Sequence, residues 1–175
     1  MRILVTGGVR SGKSTHAETL IGGAPATYVA TGAEPAREDD PDWTARIAAH
    51  RERRPASWAT LETQDLAAAV RDAQDPVLID CLGTWITALM DEADAWDQDV
   101  DAVHRLVLAR TDEVVEALRT CEPDVVVVTN EVGLGVVPEH RSGRLFRDLL
   151  GTVNQRVGAA CDEVHLVVAG RVLRL

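Results

Sequence analysis

Cysteine, lysine and long apolar runs are scarce in this 175-residue sequence. Its three cysteines, Cys81, Cys121 and Cys161, are odd in number and form no Cys-x-x-Cys pair. That excludes a disulfide scaffold and a zinc framework, and they read as reduced thiols in the core. No apolar stretch approaches the ~20 residues that span a bilayer. Arg2 runs straight into a strand-like segment and a turn, so no signal peptide is expected and the predicted location is cytoplasmic. Basic residues are outnumbered: 18 Lys and Arg against 28 Asp and Glu give a net charge of −10. Such a surface repels nucleic-acid phosphates and excludes generic DNA or RNA binding, while leaving room for an anionic small ligand in one local basic pocket.

What is present is an ordinary globular composition, 46% apolar and 26% charged, with length for one domain over residues 1–175. Of the 18 basic residues only Lys13 is a lysine. A compact ammonium fits where a planar guanidinium cannot, so that position calls for an explanation.

Short β-branched apolar runs alternate with helix-like periodicity along the chain. Arg2–Thr6, Thr27–Thr31, Val77–Cys81, Val125–Thr129 and Val164–Ala169 read as strands buried on both faces. Leu61–Thr63 adds a short strand and Val172–Leu175 an edge. Lys13–Ile21, Asp42–Arg53, Asp65–Ala73, Thr84–Asp91, Asp99–Arg119 and Arg141–Ala160 read as helices. The alternation predicts βαβ units with right-handed crossovers: an α/β, three-layer domain with a mostly parallel sheet flanked by helices. Gly32–Pro41 and Glu92–Asp101 read as polar surface connections.

Gly7, Gly8, Val9, Arg10, Ser11, Gly12, Lys13 and Ser14 fit Gly-x-x-x-x-Gly-Lys-Ser/Thr between a strand and a helix, the pattern of a P-loop NTPase-like domain. The glycines let successive N–H groups curl around phosphate, and the helix N-terminus adds its dipole. In this reading Lys13 reaches the β- and γ-phosphates and the Ser14 hydroxyl binds Mg²⁺. The bland alternative is a glycine turn with an exposed lysine. Asp80, ending an apolar strand, is the expected second ligand of Mg²⁺; a strand-end turn or helix N-cap is its alternative. Thr129-Asn130-Glu131-Val132 stands where a signalling GTPase would carry Asn-Lys-x-Asp, which disfavours that class.

The segment from Arg46 to Pro55 is the one concentrated basic patch. Arg46, His50 and Arg54 share a helical face, and arginine forks match phosphate oxygens. A neutral imidazole among them is a competent nucleophile toward phosphorus. On spacing alone, a solvated helix end is the commoner account of such a patch. His16, His104, His140 and His165 read as ordinary residues of helices, a loop and a strand.

With these pieces assembled, the sequence resembles the bifunctional adenosylcobinamide kinase / adenosylcobinamide-phosphate guanylyltransferase family of cobalamin biosynthesis. The matching stretches are ILVTGGVRSGKS, YVATGAE, RIAAHRERRPASWATLE, DCLGTW and the run from Thr129 to Gly170. The resemblance implies that ATP or GTP phosphorylates adenosylcobinamide, and that GTP then gives GMP to a histidine, from which adenosylcobinamide phosphate takes it. It puts the nucleophile at His50. It puts guanine-nucleotide contacts at Gly7 through Ser14, at Thr31, Gly32 and Ala33, at Arg51, Glu52, Arg53 and Arg54, and at Glu62 and Asp80. Val9 departs from the alanine common in the family. Glu131, Gly133 and Gly135 open a loop expected on the corrinoid side. The family also implies a homotrimer, with an exposed Trp96 region as a candidate contact. An ordinary P-loop small-molecule kinase and a non-catalytic nucleotide-binding module are the rival readings.

Overall fold

The structure, a computed structural model, describes residues 1–32 and 54–175. Seven strands form one sheet: β1 (Arg2–Gly7), β2 (Ala26–Ala30), β3 (Trp58–Glu62), β4 (Val77–Asp80), β5 (Val125–Val128), β6 (Glu163–Val168) and β7 (Arg171–Arg174). Their order is β3-β2-β4-β5-β1-β6-β7. Every pairing is parallel except β6 with β7. Five helices belong to the described residues: α1 (Lys13–Ile21), α2 (Leu66–Arg71), α3 (Leu82–Glu92), α4 (Val100–Thr120) and α5 (Arg141–Gly158).

The near-continuous apolar strands follow from burial on both faces. Leu4, Val29, Ile79 and Val127 project into a core with Leu66, Trp85, Val107 and Leu149 from α2–α5. Ile3, Val5, Leu78 and Val126 project the other way, where Ala17 and Leu20 of α1 cover them. Each such side chain, fully buried, contributes about 1.5–3 kcal/mol over its exposed state. Helix α4 shows how pattern becomes packing. Its buried positions Val103, Val107, Thr111, Val114, Val115 and Leu118 recur at helical spacing, and the Asp99 carboxylate caps its start by accepting from Ala102 N at 3.1 Å.

Several expectations shift. Trp58–Glu62 pairs with β2 over five residues, a longer strand than Leu61–Thr63. All its residues after Trp58 are exposed, so this edge strand carries little apolar signal. Helix α3 begins at Leu82, two residues before the expected Thr84, because Cys81 and Thr84 form a capping box. Trp96 is half-buried against the core instead of exposed, its Nε1 donating to Asp91 Oδ1 at 2.6 Å. All three cysteines are free; Cys81 is buried while Cys121 and Cys161 sit half-buried at the core margin, where burial pushes the Cys161 thiol up to about 12. The expected helix Asp42–Arg53 lies outside the described residues.

Candidate nucleotide site

The order of the strands creates the site. Helix α1 leaves β1 toward one face of the sheet, while α5 follows the neighbouring β5 on the other. A crevice therefore opens at the carboxyl ends of β1 and β5, the place where open α/β sheets bind ligands. The segment Gly7–Ser14 lies there.

Its curvature has local causes. Arg10 and Gly12 take positive φ angles of 55° and 96°. At Gly7 any Cβ would stand 2.4 Å from the Val167 carbonyl oxygen, so only glycine fits. Ser11 N donates to Gly8 O at 3.3 Å, closing the loop on itself. The turn between β6 and β7 braces it from outside, Gly170 N donating to Ser11 O at 2.8 Å. Lys13 is buried and folds back, its Nζ 3.4 Å from Gly8 O. Helix α1 has no side-chain cap and no acidic residue in its first turn. Its N-terminal N–H groups and positive dipole end are left for an anion. The lysine unique in the sequence thus stands at an uncapped helix start that follows a glycine-rich turn.

Asp80 ends β4 in register with Ala30 of β2 and Val128 of β5. Alternation along the strand puts it on the face of Leu78, which is also that of α1. β4 is two strand spacings from β1, about 10 Å. A carboxylate on β4 and the half-buried Ser14 hydroxyl on α1 are hard oxygen donors, the chemistry that Mg²⁺ takes. Among the described residues no group of three or more His, Cys, Asp or Glu could hold a metal unaided. An ion here would complete its shell with phosphate oxygens and water.

Thr31 directly follows β2 at the carboxyl edge of the sheet. It is fully buried, and its hydroxyl donates to Cys81 O at 2.8 Å or Thr84 Oγ1 at 2.6 Å while accepting from Cys81 N at 3.1 Å. Its side chain therefore fixes the turn that follows Asp80. Gly32 comes next, half-buried. Glu62 stands at the same carboxyl edge but on β3, four spacings or about 19 Å from β1. Arg54 stacks its guanidinium 3.4 Å over the Tyr28 ring and donates to Thr60 Oγ1 at 3.0 Å. That places it over β2, with β4 and β5 between it and the phosphate loop. Burial first, then the Asp80 charge, holds the Tyr28 hydroxyl far above its ordinary range, so the ring stays a neutral platform. Ala33, His50, Arg51, Glu52 and Arg53 lie outside the described residues.

Two polar assemblies were not foreseen. Fully buried His165 accepts or donates at both ring nitrogens, Nδ1 facing His16 Nε2 at 2.9 Å and Nε2 facing Glu163 Oε2 at 2.8 Å. A carboxylate only accepts, so with neutral rings the donors run from His16 through His165 to Glu163. This chain fastens α1, one turn past Lys13, to β6. Burial, reinforced by His165 and Arg174, holds His16 below its ordinary value, and the bond from His165 holds Glu163 below the usual carboxylate range. Each histidine read as ordinary because the signal lies in their pairing across 149 positions. The second assembly holds the turn after β5. Asn154 of α5 accepts from Thr129 Oγ1 at 2.6 Å and donates to Asn130 O at 3.0 Å, and Glu131 N donates to Gly7 O at 3.1 Å.

Comparison with known proteins agrees with this geometry. The family model described as cobinamide kinase / cobinamide phosphate guanyltransferase matches residues 3–175. The chain is 45% identical to the bifunctional adenosylcobalamin biosynthesis protein CobU of Salmonella typhimurium, over 97% of each chain. It is 42% identical to the protein of that name from Escherichia coli, again over 97% of each. With the bifunctional adenosylcobalamin biosynthesis protein CobP of Pseudomonas aeruginosa it shares 37% identity over 97% of this chain and 94% of the relative. On sequence match and fold together, the chain belongs to the cobinamide kinase / cobinamide phosphate guanyltransferase family.

Proposed function

We propose that the protein carries out two successive transfers to a corrinoid. In the first, the hydroxyl of the aminopropanol arm of adenosylcobinamide attacks the γ-phosphorus of ATP or GTP. The bond to the β,γ-bridging oxygen breaks, the hydroxyl proton is lost to solvent, and nucleoside diphosphate leaves. In the second, a nitrogen of His50 attacks the α-phosphorus of GTP and pyrophosphate leaves. An oxygen of adenosylcobinamide phosphate then displaces the histidine, the N–P bond breaks, and adenosylcobinamide-GDP is released. Splitting one displacement into two lets a single in-line geometry serve each half.

The observation that carries this reading is the phosphate loop at the end of β1, braced on one side by the β6–β7 turn and on the other by Glu131, in a chain of this family. Lys13 and the α1 N-terminus hold the phosphates and stabilise charge that develops on them during transfer. Ser14 and Asp80 would hold Mg²⁺, which when bound neutralises phosphate charge. Thr31, Gly32, Ala33, Arg51, Glu52, Arg53, Arg54 and Glu62 belong to the nucleoside and transferase side of the same reading. One domain, a cytoplasmic location and a homotrimer complete it; among the described residues no helix is long and apolar enough to cross a membrane.

GTP labelled at the α-phosphate separates this reading from its rivals. Label retained on the protein, stable to base and labile to acid, and absent in His50→Ala, is the expected result. Phosphorylation of adenosylcobinamide without that adduct leaves an ordinary kinase, and nucleotide binding without any turnover leaves a binding module.

A further inference from the structure

Exposed large apolar side chains gather in two places among the described residues. One is the margin of β6 and β7. The other is the loop leaving β5, where Leu134 is 87% exposed, Val136 95% and Val137 62%. Slack does not account for the second. Glu131 N is bound to Gly7 O, and the Glu131 carboxylate accepts from Gly133 N at 2.6 Å. From α5, Arg147 donates to Gly133 O at 2.8 Å and Arg144 to Pro138 O at 3.1 Å. The backbone is thus tied down at both ends while the apolar side chains face outward. Nη1 of Arg147 is buried and has no partner among the described residues, which leaves a donor beneath the loop. Apolar groups held out on a fixed backbone mark a binding surface.

We propose that this loop is the surface on which the corrin ring of the acceptor rests, with Leu134, Val136 and Val137 against the macrocycle. The proposal rests on the two-transfer reading above. Its argument is position and chemistry. The acceptor hydroxyl must meet a phosphoryl group held at Gly7–Ser14, and it hangs from the ring on an arm of only a few bonds. The ring must therefore lie against whatever adjoins the phosphate loop, and Glu131 joins this loop to Gly7 directly. A corrin is a flat, methyl-rich macrocycle fringed with amides, and its methyl-rich face matches apolar side chains held outward on a fixed backbone. A second copy of the chain is better served by β7, which among the described residues is the outermost strand and leaves one edge free for strand pairing.

The test is the double variant Leu134→Ser, Val136→Ser, whose positions are too exposed to carry the fold. Adenosylcobinamide binding is read by equilibrium dialysis without nucleotide, and KM and kcat by phosphorylation. Binding weakened about ten- to a hundredfold, KM raised to match, kcat at saturation retained and GTP affinity within about twofold of wild type is the expected pattern. Unchanged corrinoid affinity overturns the proposal, as does a wild-type protein that binds no corrinoid. A loss of affinity that accompanies a fall in mass by light scattering also overturns it, because the loop is then a contact between copies. Wild-type protein that binds adenosylcobinamide without phosphorylating it refutes the two-transfer reading alone.

Discussion

Replacing Thr31 by valine exchanges a hydroxyl for a methyl group in a site with no solvent exposure. The shape is kept, and three polar contacts are removed: to Cys81 O at 2.8 Å, to Thr84 Oγ1 at 2.6 Å and from Cys81 N at 3.1 Å. Neither backbone group is orphaned. Thr84 Oγ1 still donates to Cys81 O at 2.9 Å and still lies 3.3 Å from Cys81 N. The cost is therefore that of one or two net hydrogen bonds, about 1–2 kcal/mol, and not that of a stranded buried donor. For a chain of this size, that lowers the melting temperature by about 2–8 °C. The affected turn directly follows Asp80, so the Mg²⁺ concentration that half-saturates GTP binding should rise about three- to tenfold, with Mg²⁺-free binding little changed. Urea unfolding and a Mg²⁺ titration of GTP binding read the two effects. Thr31→Ser, which keeps the hydroxyl, should restore most of both. A Thr31→Val protein within about 0.5 kcal/mol of wild type, or a serine variant no better than valine, would refute the assignment of this side chain to the turn.

Gly7→Ala forces a methyl group against the backbone oxygen of Val167 at 2.4 Å, and a carbonyl in a strand cannot swing aside. It should cost about 1–3 kcal/mol in urea unfolding and weaken nucleotide binding; wild-type affinity would show that the loop relaxes freely. Asp80→Asn should shift the Mg²⁺ dependence of turnover to higher concentration while leaving Mg²⁺-free GTP binding within about twofold, and an unshifted dependence removes Asp80 from the metal site. Acid should destabilise the fold in two stages. His16 is held below its ordinary value, so the unfolded chain takes up the proton first, and stability present above about pH 6.5 is lost as pH falls toward its folded value. Glu163 and Asp162, both depressed by hydrogen bonds, contribute stability that is lost at lower pH as each protonates. Melting temperatures measured from pH 7 to pH 4 should lose the first stage in His16→Gln and keep the second; a profile unchanged from wild type counts against the His16 assignment.

The sequence was most informative where chemistry is local. β1, the phosphate loop and α1 are contiguous, so strand, glycines and lysine announce one another within fourteen residues. The buried strands β4 and β5 were legible because a strand covered on both faces has to be apolar throughout. β3 was hard to delimit for the opposite reason: it lies at the sheet edge, exposed, and is set by backbone pairing with β2. Thr31 sits among the expected nucleotide contacts of its motif, and the bond of its hydroxyl to Cys81, a residue 50 positions away, was not legible there. The histidine pair and the hold of Asn154 on Thr129 depend on register between distant elements, which no window of sequence contains. The apolar letters of Val132–Val137 were visible, but only the structure shows them facing water.

β6 reaches the beginning of the chain at both of its ends. Asp162 meets Arg2 across 160 positions, and the turn beyond the strand closes on Ser11. A polypeptide made at 5–20 residues per second thus leaves its lysine-bearing loop without that external prop for on the order of ten seconds. Newly emerged Gly7–Ser14 has the letters of a phosphate cradle before it has the stiffness of one, and its outer brace is among the last contacts that each new molecule can make.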